Sequence, residues 1–227
     1  MRKYKVLMQN QIPKNPTPPK LGEEAVELLT ELCFGKNENA DKETDAVLVF
    51  GTPHEEKHFL AIEHLSDIIN LTSVKNVFIT GGKDTGDGKR ESEKIFALAK
   101  KTLPENIFFY CDKVSKNTLE NVVYALRLGL DRFKKIVFIA AWGHCGRCRL
   151  TLQKYLENAD LKQRGYVWTS SETPGTLNPD FWHKDKRYTE LIWGEFLRIE
   201  TYGKRGDIAY SPQISAVVER IHELTGT

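Results

Sequence analysis

The sequence predicts an α/β fold: a Rossmann-like three-layer α/β/α arrangement around a mainly parallel sheet of about five strands. Short apolar runs, typical of strands buried on both faces, alternate along the chain with longer segments of helical periodicity. The apolar runs end in glycine or polar residues, as strands do where an open α/β sheet binds its ligands. A chain of 227 residues is long enough to bury such a core.

The N-terminal part of the chain contributes one helix before the sheet begins. Residues 1–20 hold four of the nine prolines and are predicted to form an extended arm. Glu23 to Phe34 has apolar residues at helical spacing, and Gly35 ends that helix. We therefore expect residues 1–44 to be an arm and a helix that packs on the domain.

Residues 45–170 are predicted to be the α/β core. The predicted strands are Asp45–Gly51, Asn76–Gly82, Asn106–Tyr110, Ile136–Trp142 and Gly165–Thr169. The predicted helices between them are Glu55–Asn70, Arg90–Thr102, one that opens at Ser115–Asn121, and one that runs to about Leu156. Strands that alternate with helices predict a parallel sheet with helices on both faces.

Residues 171–227 are predicted to belong to the same globular unit. An irregular stretch over residues 170–187 precedes two helices, Tyr188–Tyr202 and Pro212–Leu224. Trp182 and the basic, aromatic stretch after it fit either a lid or a partner surface, and the sequence leaves both open.

Composition narrows the class of partner. A net charge of +2 gives no strong field for nucleic acid. No apolar run approaches the roughly 20 residues of a membrane helix, and Val6–Met8 is too short for a signal-peptide core. Four cysteines in a chain of this length are not a disulfide framework. We expect a cytoplasmic protein with a small-molecule ligand, and the oligomeric state stays open.

Glycines follow the first two strands. Gly51 leaves the first strand, and Gly81, Gly82 and Lys83 leave the second. Two consecutive glycines expose backbone N–H groups that bind a phosphate or carboxylate, and the lysine adds positive charge. Ordinary turn chemistry is the alternative, because neither a P-loop nor the dinucleotide fingerprint is present. We predict that Gly81, Gly82 and Lys83 hold the negative group of a ligand, and that Gly51 lets the ligand approach the backbone.

Carboxylates open the helix after the second strand. Glu91 and Glu93 in a first turn interact favourably with the helix dipole, and this interaction alone can explain both residues. The alternative is that one of them faces the crevice and holds a ligand hydroxyl or amine. We assign that role to Glu93.

The segment Ser115–Asn121 combines a helix cap with a polar cluster. Asn117 and Glu120 resemble a capping box, whereas a cap does not explain Thr118 or Asn121. Asn117 and Asn121 lie four residues apart, hence on one face of the first turn. We predict that Asn117, Thr118 and Asn121 orient the ligand.

His144 and Arg147 follow the fourth strand at the start of a helix. Helix N-termini bind anions, and arginine adds a bidentate donor. If the protein is an enzyme, His144 is the predicted general acid–base because its unperturbed pKa is near neutrality. Arg147 would stabilise developing negative charge.

Cys145 and Cys148 form a C-x-x-C at the same helix start, where thiolates are stabilised. The helix N-terminus and the adjacent arginines are expected to lower a thiol pKa. A thioredoxin-like redox motif is one interpretation, but the run of buried strands before it argues against it. We predict that both thiols are dispensable for the main activity.

Three histidines lie on or just before the helix after the first strand. His54 and His58 have the spacing of a metal pair, but no H-E-x-x-H motif is present. We therefore interpret His54, His58 and His64 as a solvated helix face and predict no metal site.

In order along the chain, these motifs resemble the YdcF-like family of α/β domains. The resemblance covers about residues 45–170. It rests on the strand Val47–Gly51, on Thr80–Gly82, on Ser92 and Glu93, on the Ser-x-Asn-Thr-x-Glu-Asn element at Ser115–Asn121, and on His144 with Arg147. The residues before His144 depart from the family's usual Thr/Ser-rich stretch.

The resemblance implies a Rossmann-like fold and a nucleotide-like ligand, with S-adenosylmethionine as the candidate cofactor. It implies no particular reaction. A transferase or a hydrolase, a non-catalytic ligand-binding module, and a thiol–disulfide oxidoreductase using Cys145 and Cys148 therefore stay open.

Overall fold

The structure is a computed structural model that describes residues 12–13, 16–35, 40–52, 54, 56–156, 162–168 and 177–227. For Glu56 and for residues 162–168 it describes the backbone alone. Contacts divide the chain into two units. The first unit joins Met1–Lys36, Trp142–Lys154 and Ser170–Thr227, and the second joins Asn37–Ala141 and Tyr155–Thr169. The three ranges drawn from the sequence stay a prediction of domain organisation.

The second unit is built on a parallel sheet. Its strands are β1 (Ala46–Phe50), β2 (Asn76–Thr80), β3 (Phe108–Cys111), β4 (Lys135–Ala141) and an edge segment, β5 (Lys162–Trp168). They lie in the order β3-β2-β1-β4-β5, and every pair of neighbours is parallel. The predicted α/β class and parallel sheet are confirmed.

Seven α-helices complete the described secondary structure, with two short 3₁₀ turns at Leu130–Arg132 and Trp182–Lys184. The helices are α1 (Glu23–Phe34), α2 (Glu56–Thr72), α3 (Glu91–Thr102), α4 (Thr118–Arg127), α5 (Cys145–Leu156), α6 (Lys186–Arg205) and α7 (Pro212–Thr225). Within the described part of the chain, none of them is long and apolar enough to cross a membrane.

The second unit has its core on the sheet. Val47, Val49, Val77 and Ile79 alternate along β1 and β2 and pack with apolar residues of α2 and α3 such as Leu65. Helix α4 also contacts β1 and β2. Its connection from β3 to β4 runs across the sheet in the opposite direction to the first two connections. A right-handed crossover therefore places α4 on the other face.

The first unit has a separate core, in which α1, α6 and α7 meet. Trp182 lies at its centre with no exposed surface, and its indole N–H donates to Thr30 Oγ1 at 2.8 Å. Helix α5 approaches α1 closely, because a Cβ at Gly146 would overlap the carbonyl oxygen of Leu32. Trp182 is therefore a core residue, whereas the sequence left a lid and a partner surface open for its segment.

Candidate functional site

The carboxyl ends of β1 and β2 approach each other through glycines. A Cβ at Gly51 would lie 2.5 Å from the carbonyl oxygen of Thr80, and one at Gly82 would lie 2.6 Å from the backbone of Val114. Gly81 has a φ of +134°, a backbone conformation that residues other than glycine rarely adopt. Close backbone packing therefore requires these glycines, whatever binds nearby.

One N–H group of the predicted anion cradle, that of Gly82, already has a protein partner. The N–H of Gly82 donates to Ser115 O at 2.8 Å. The N–H groups of Glu91 and Ser92, the first two of α3, donate to Lys83 O at 3.1 Å and to Gly81 O at 3.0 Å. The expectation that the Gly82 N–H binds a ligand anion is therefore corrected, since that donor would have to leave its partner. Lys83 is exposed.

Glu91 is the carboxylate at the strand ends. Its residue is 4% exposed, and its Oε2 would lie 2.7 Å from a Cβ at either Gly51 or Gly81. Within the described part of the chain, the carboxylate makes no hydrogen bond and no ion pair. Burial raises the pKa of Glu91, and the charge of Lys83 opposes that rise.

Glu93, the predicted ligand-binding carboxylate, makes two contacts within the protein. Its Oε2 accepts the Arg90 N–H at 2.9 Å, and its Oε1 pairs with Lys113 Nζ at 2.9 Å. The Arg90 N–H and Lys113 lower the pKa of Glu93. The carboxylate that faces the strand ends is therefore Glu91, and Glu93 caps α3. Sequence reasoning placed both in the first turn but had no means of choosing between them.

Asn117 is the N-cap of α4. Its Oδ1 accepts the Glu120 N–H at 2.9 Å, and its Nδ2 donates to Glu120 Oε1 at 3.0 Å. Glu120 Oε2 accepts the Lys116 N–H at 2.8 Å, which completes a capping arrangement. The predicted cap is confirmed, and it engages both polar atoms of the Asn117 side chain.

Thr118 and Asn121, which the cap does not explain, are buried with 4% and 6% of their surface exposed. The side-chain amide of Asn121 makes no hydrogen bond within the described residues. An amide that is nearly buried and has no protein partner leaves donors and an acceptor for another molecule. Asn121 therefore stays the best of the α4 candidates for ligand contact.

Two further hydroxyl groups flank the glycine turn. Ser92 and Ser115 are 0% and 1% exposed, and neither hydroxyl has a hydrogen-bond partner among the residues that the structure describes. Asp112 holds this region in place, because its carboxylate accepts the Val114 N–H at 2.9 Å and the Ser115 N–H at 3.3 Å. Both serines lie in the sequence motifs described above, but neither of them nor Asp112 is among the predicted site residues.

His144 and Arg147 belong to the first unit, whereas the other predicted site residues belong to the second. Arg147 is paired with the buried Glu195, with Nε 2.7 Å from Oε2 and Nη2 3.3 Å from Oε1. Arg198 Nη1 lies 3.3 Å from Glu195 Oε1. Burial opposes ionisation of Glu195, but Arg147, His144 and Arg198 outweigh it and lower the pKa of Glu195. Arg147 therefore has a structural partner, and its catalytic role stays a prediction.

Burial dominates the chemistry of the C-x-x-C thiols. Cys145 and Cys148 have no exposed surface and are not disulfide-bonded. Burial raises the pKa of Cys148 well above its usual value, even though Arg147 acts to lower it. The expected lowering of a thiol pKa is therefore wrong for Cys148. A thiol with little thiolate is a poor redox nucleophile.

The three histidines of the α2 region differ in their surroundings. His58 is 2% exposed, and its Nε2–H donates to Thr52 O at 2.8 Å. The prediction of a solvated face is therefore wrong for His58, which ties α2 to the end of β1. His54 is exposed and His64 half-buried. Among the residues that the structure describes, no cluster of three metal-ligating side chains occurs.

No protein-family model matches this chain, and no curated protein sequence matches it. The resemblance to the YdcF-like family therefore stays a prediction.

Proposed function

We propose that the protein binds a small nucleotide-like ligand at the carboxyl edge of the sheet in the second unit. The observation that carries this proposal is Glu91, a buried carboxylate at the ends of β1 and β2 that has no hydrogen bond or ion pair among the residues the structure describes. S-Adenosylmethionine is the candidate that the family resemblance suggests.

The order of the strands supports this location. Along the sheet the order is β3-β2-β1-β4-β5. Strands β2 and β3 are added on one side of β1, and β4 and β5 are added on the other side, so the switch point lies between β1 and β4. Open α/β sheets bind ligands outside the carboxyl ends of their strands at such a switch point. Gly51 and Thr52 follow β1 at that edge.

The polar groups near this edge also support a ligand. Asn121 and Glu91 are more than nine-tenths buried, and neither side chain makes a hydrogen bond within the described residues. The hydroxyl oxygens of Ser92 and Ser115 are buried without a hydrogen-bond partner among the described residues, and polar atoms that lose water without gaining a partner cost free energy. A ligand with matching donors and acceptors would recover that cost on binding.

The test begins with molecules that co-purify with the native protein, identified by mass spectrometry after denaturation. Isothermal titration calorimetry then measures binding of S-adenosylmethionine, adenosine and AMP. Asn121→Ala is expected to weaken the binding of the best ligand about tenfold, which corresponds to the loss of roughly one good hydrogen bond. Asn70→Ala, an exposed asparagine on α2, is the matched control and should bind as the parent does.

Two outcomes would remove the proposal. The first is the lack of any co-purifying small molecule together with no binding of the three probes at millimolar concentration. The second is binding that Asn121→Ala and Asn70→Ala leave equally unchanged.

A catalytic function is the second candidate, and one observation favours it: His144 interacts electrostatically with the buried Glu195. A histidine held near a buried carboxylate is a common acid–base arrangement. If the protein is a transferase or hydrolase, His144→Ala should abolish turnover while ligand affinity changes little. A binding module has no turnover, so in that case the variant changes neither quantity.

A further inference from the structure

The position of Glu91 indicates which chemical group of a ligand can lie at the ends of β1 and β2. It begins α3, and the backbone fixes its position, because its own N–H donates to Lys83 O at 3.1 Å. The next residue is held in the same way, with the Ser92 N–H 3.0 Å from Gly81 O. The side chain of Glu91 is therefore attached to a rigid turn and directed at the two glycines.

The two glycines leave room for this carboxylate at the ends of β1 and β2. A Cβ at Gly51 or at Gly81 would each lie 2.7 Å from Glu91 Oε2. Other side chains at these positions would displace the carboxylate. The ends of β1 and β2 are therefore shaped around Glu91.

Electrostatics opposes an anion at this place. A phosphate would approach a carboxylate, and like charges at short range repel. Lys83 is the cation that acts on Glu91, but its side chain is exposed and solvent screens its charge. The Gly82 N–H, which a phosphate would need, already donates to Ser115 O at 2.8 Å.

A carboxylate offers only acceptors when it is ionised. A hydroxyl or amine group would complete its hydrogen bonds, and an ammonium would also compensate its charge. Burial raises the pKa of Glu91, because desolvation disfavours the charged form of a carboxyl group.

We propose that Glu91 recognises a hydrogen-bond donor of the ligand, a hydroxyl or an amine, and that any phosphate of the ligand lies away from the β1–β2 turn. This inference rests on the ligand binding proposed above and adds the chemical class of the group that enters the turn. It makes Glu91 a specificity-determining residue and gives Glu93 no part in recognition.

Three variants test the assignment by calorimetry. Glu91→Gln keeps the shape but replaces one acceptor oxygen with an NH₂ donor, so the affinity for the ligand that carries the recognised group should fall at least tenfold. That ligand is adenosine for a ribose hydroxyl and S-adenosylhomocysteine for an amine. Glu93→Gln changes the neighbouring capping carboxylate and should alter affinity less than threefold. Glu63→Gln, an exposed residue of α2, is the control. A larger loss with Glu93→Gln than with Glu91→Gln would overturn the assignment.

Ligand pairs test the same inference on the unmodified protein. If Glu91 binds the ribose hydroxyls, 2′-deoxyadenosine or 3′-deoxyadenosine should bind at least tenfold more weakly than adenosine. If it binds the α-amine, S-adenosylhomocysteine should bind tighter than its des-amino analogue, which keeps the carboxylate, and the deoxy compounds should match adenosine. Either result supports a donor, and the pair that responds identifies its source.

Failure of the inference differs from failure of the proposed function. If adenosine binds but neither ligand pair nor Glu91→Gln changes affinity, ligand binding stands and recognition by Glu91 is wrong. Binding of inorganic phosphate that is tighter than binding of adenosine, and that strengthens in Glu91→Gln because the carboxylate no longer repels it, would also overturn the inference. If none of these probes binds, the proposed function and the inference fall together.

Discussion

Glu195 and Glu91 are two buried glutamates with 8% and 4% of their surface exposed, one in each unit of the molecule. Glu195 is paired with Arg147 and Arg198, and its pKa is lowered. Glu91 makes no ion pair within the described residues, and its pKa is raised. Two carboxylates of similar burial thus have opposite electrostatic environments.

The comparison separates two reasons for burying a charge. A carboxylate surrounded by cations stabilises a particular packing arrangement once it is in place, because removal of one partner strands the others. A carboxylate without partners costs stability, and proteins retain such groups mainly where they bind or react. Glu195 fits the first description and Glu91 the second.

The largest expected effect concerns the Glu195 network. Glu195→Gln should lower the free energy of unfolding of the first unit by about 3–5 kcal/mol, because it leaves Arg147 buried without a counter-charge. Urea denaturation followed by tryptophan fluorescence measures this loss, since Trp182 and Trp193 lie in the core of that unit. Glu223→Gln, which removes an exposed partner of Arg220, should change little. Equal midpoints for the two variants would show that the network is not structural.

A smaller effect distinguishes the two asparagines of α4. Asn117→Ala should destabilise the second unit by about 1 kcal/mol, the usual cost of losing an N-cap, because its amide caps the helix. Asn121→Ala removes an amide that makes no described hydrogen bond, so its main effect should be on ligand affinity. Urea denaturation and calorimetry on both variants decide the matter. A reversed pattern would assign the cap and the ligand contact the other way round.

The pH dependence of stability should differ in sign between the two glutamates. The folded-state pKa of Glu91 is raised from 4.5, so its ionisation penalises folding at neutral pH, and the penalty disappears as the pH falls towards 4.5. Glu91→Gln should therefore be slightly more stable than the parent at pH 7 and equal to it near pH 4.5. Thermal unfolding midpoints at both pH values measure this difference.

Glu195 should behave in the opposite way. Its folded-state pKa is lowered from 4.5, so its contribution is present above 4.5 and is lost as the pH falls through the lowered value. The parent should therefore lose more stability than Glu195→Gln on acidification below pH 4.5. If Glu91→Gln instead loses stability at pH 7, Glu91 has a stabilising partner and the contrast between the two residues is wrong.

The smallest expected effect concerns the thiols. Cys33, Cys145 and Cys148 have no exposed surface, so iodoacetamide should modify them only after unfolding. Cys111 is half-buried, but burial raises its pKa to about 11, which slows its reaction as well. Cys145→Ala with Cys148→Ala should leave ligand affinity unchanged. Rapid alkylation of Cys148 in the native protein, detected by mass spectrometry, would restore the oxidoreductase interpretation.

Periodicity and punctuation determined much of the fold. Apolar runs predicted β1, β2 and β4 within a residue or two, and helical spacing with Gly35 predicted both ends of α1. The Asn117–Glu120 cap followed from sequence because its two partners are three residues apart. All of these are local effects, in which neighbouring residues along the chain supply the interactions.

The tertiary structure decided what depends on distant partners. It paired Arg147 with Glu195, which is 48 residues away in the sequence. It buried Cys148 and His58, although their sequence contexts predicted a reactive thiol and a solvated histidine. It also placed Glu91 rather than Glu93 at the ends of β1 and β2. Sequence spacing identifies which side chains share a helix turn, but desolvation and charge pairing depend on segments that only folding brings together.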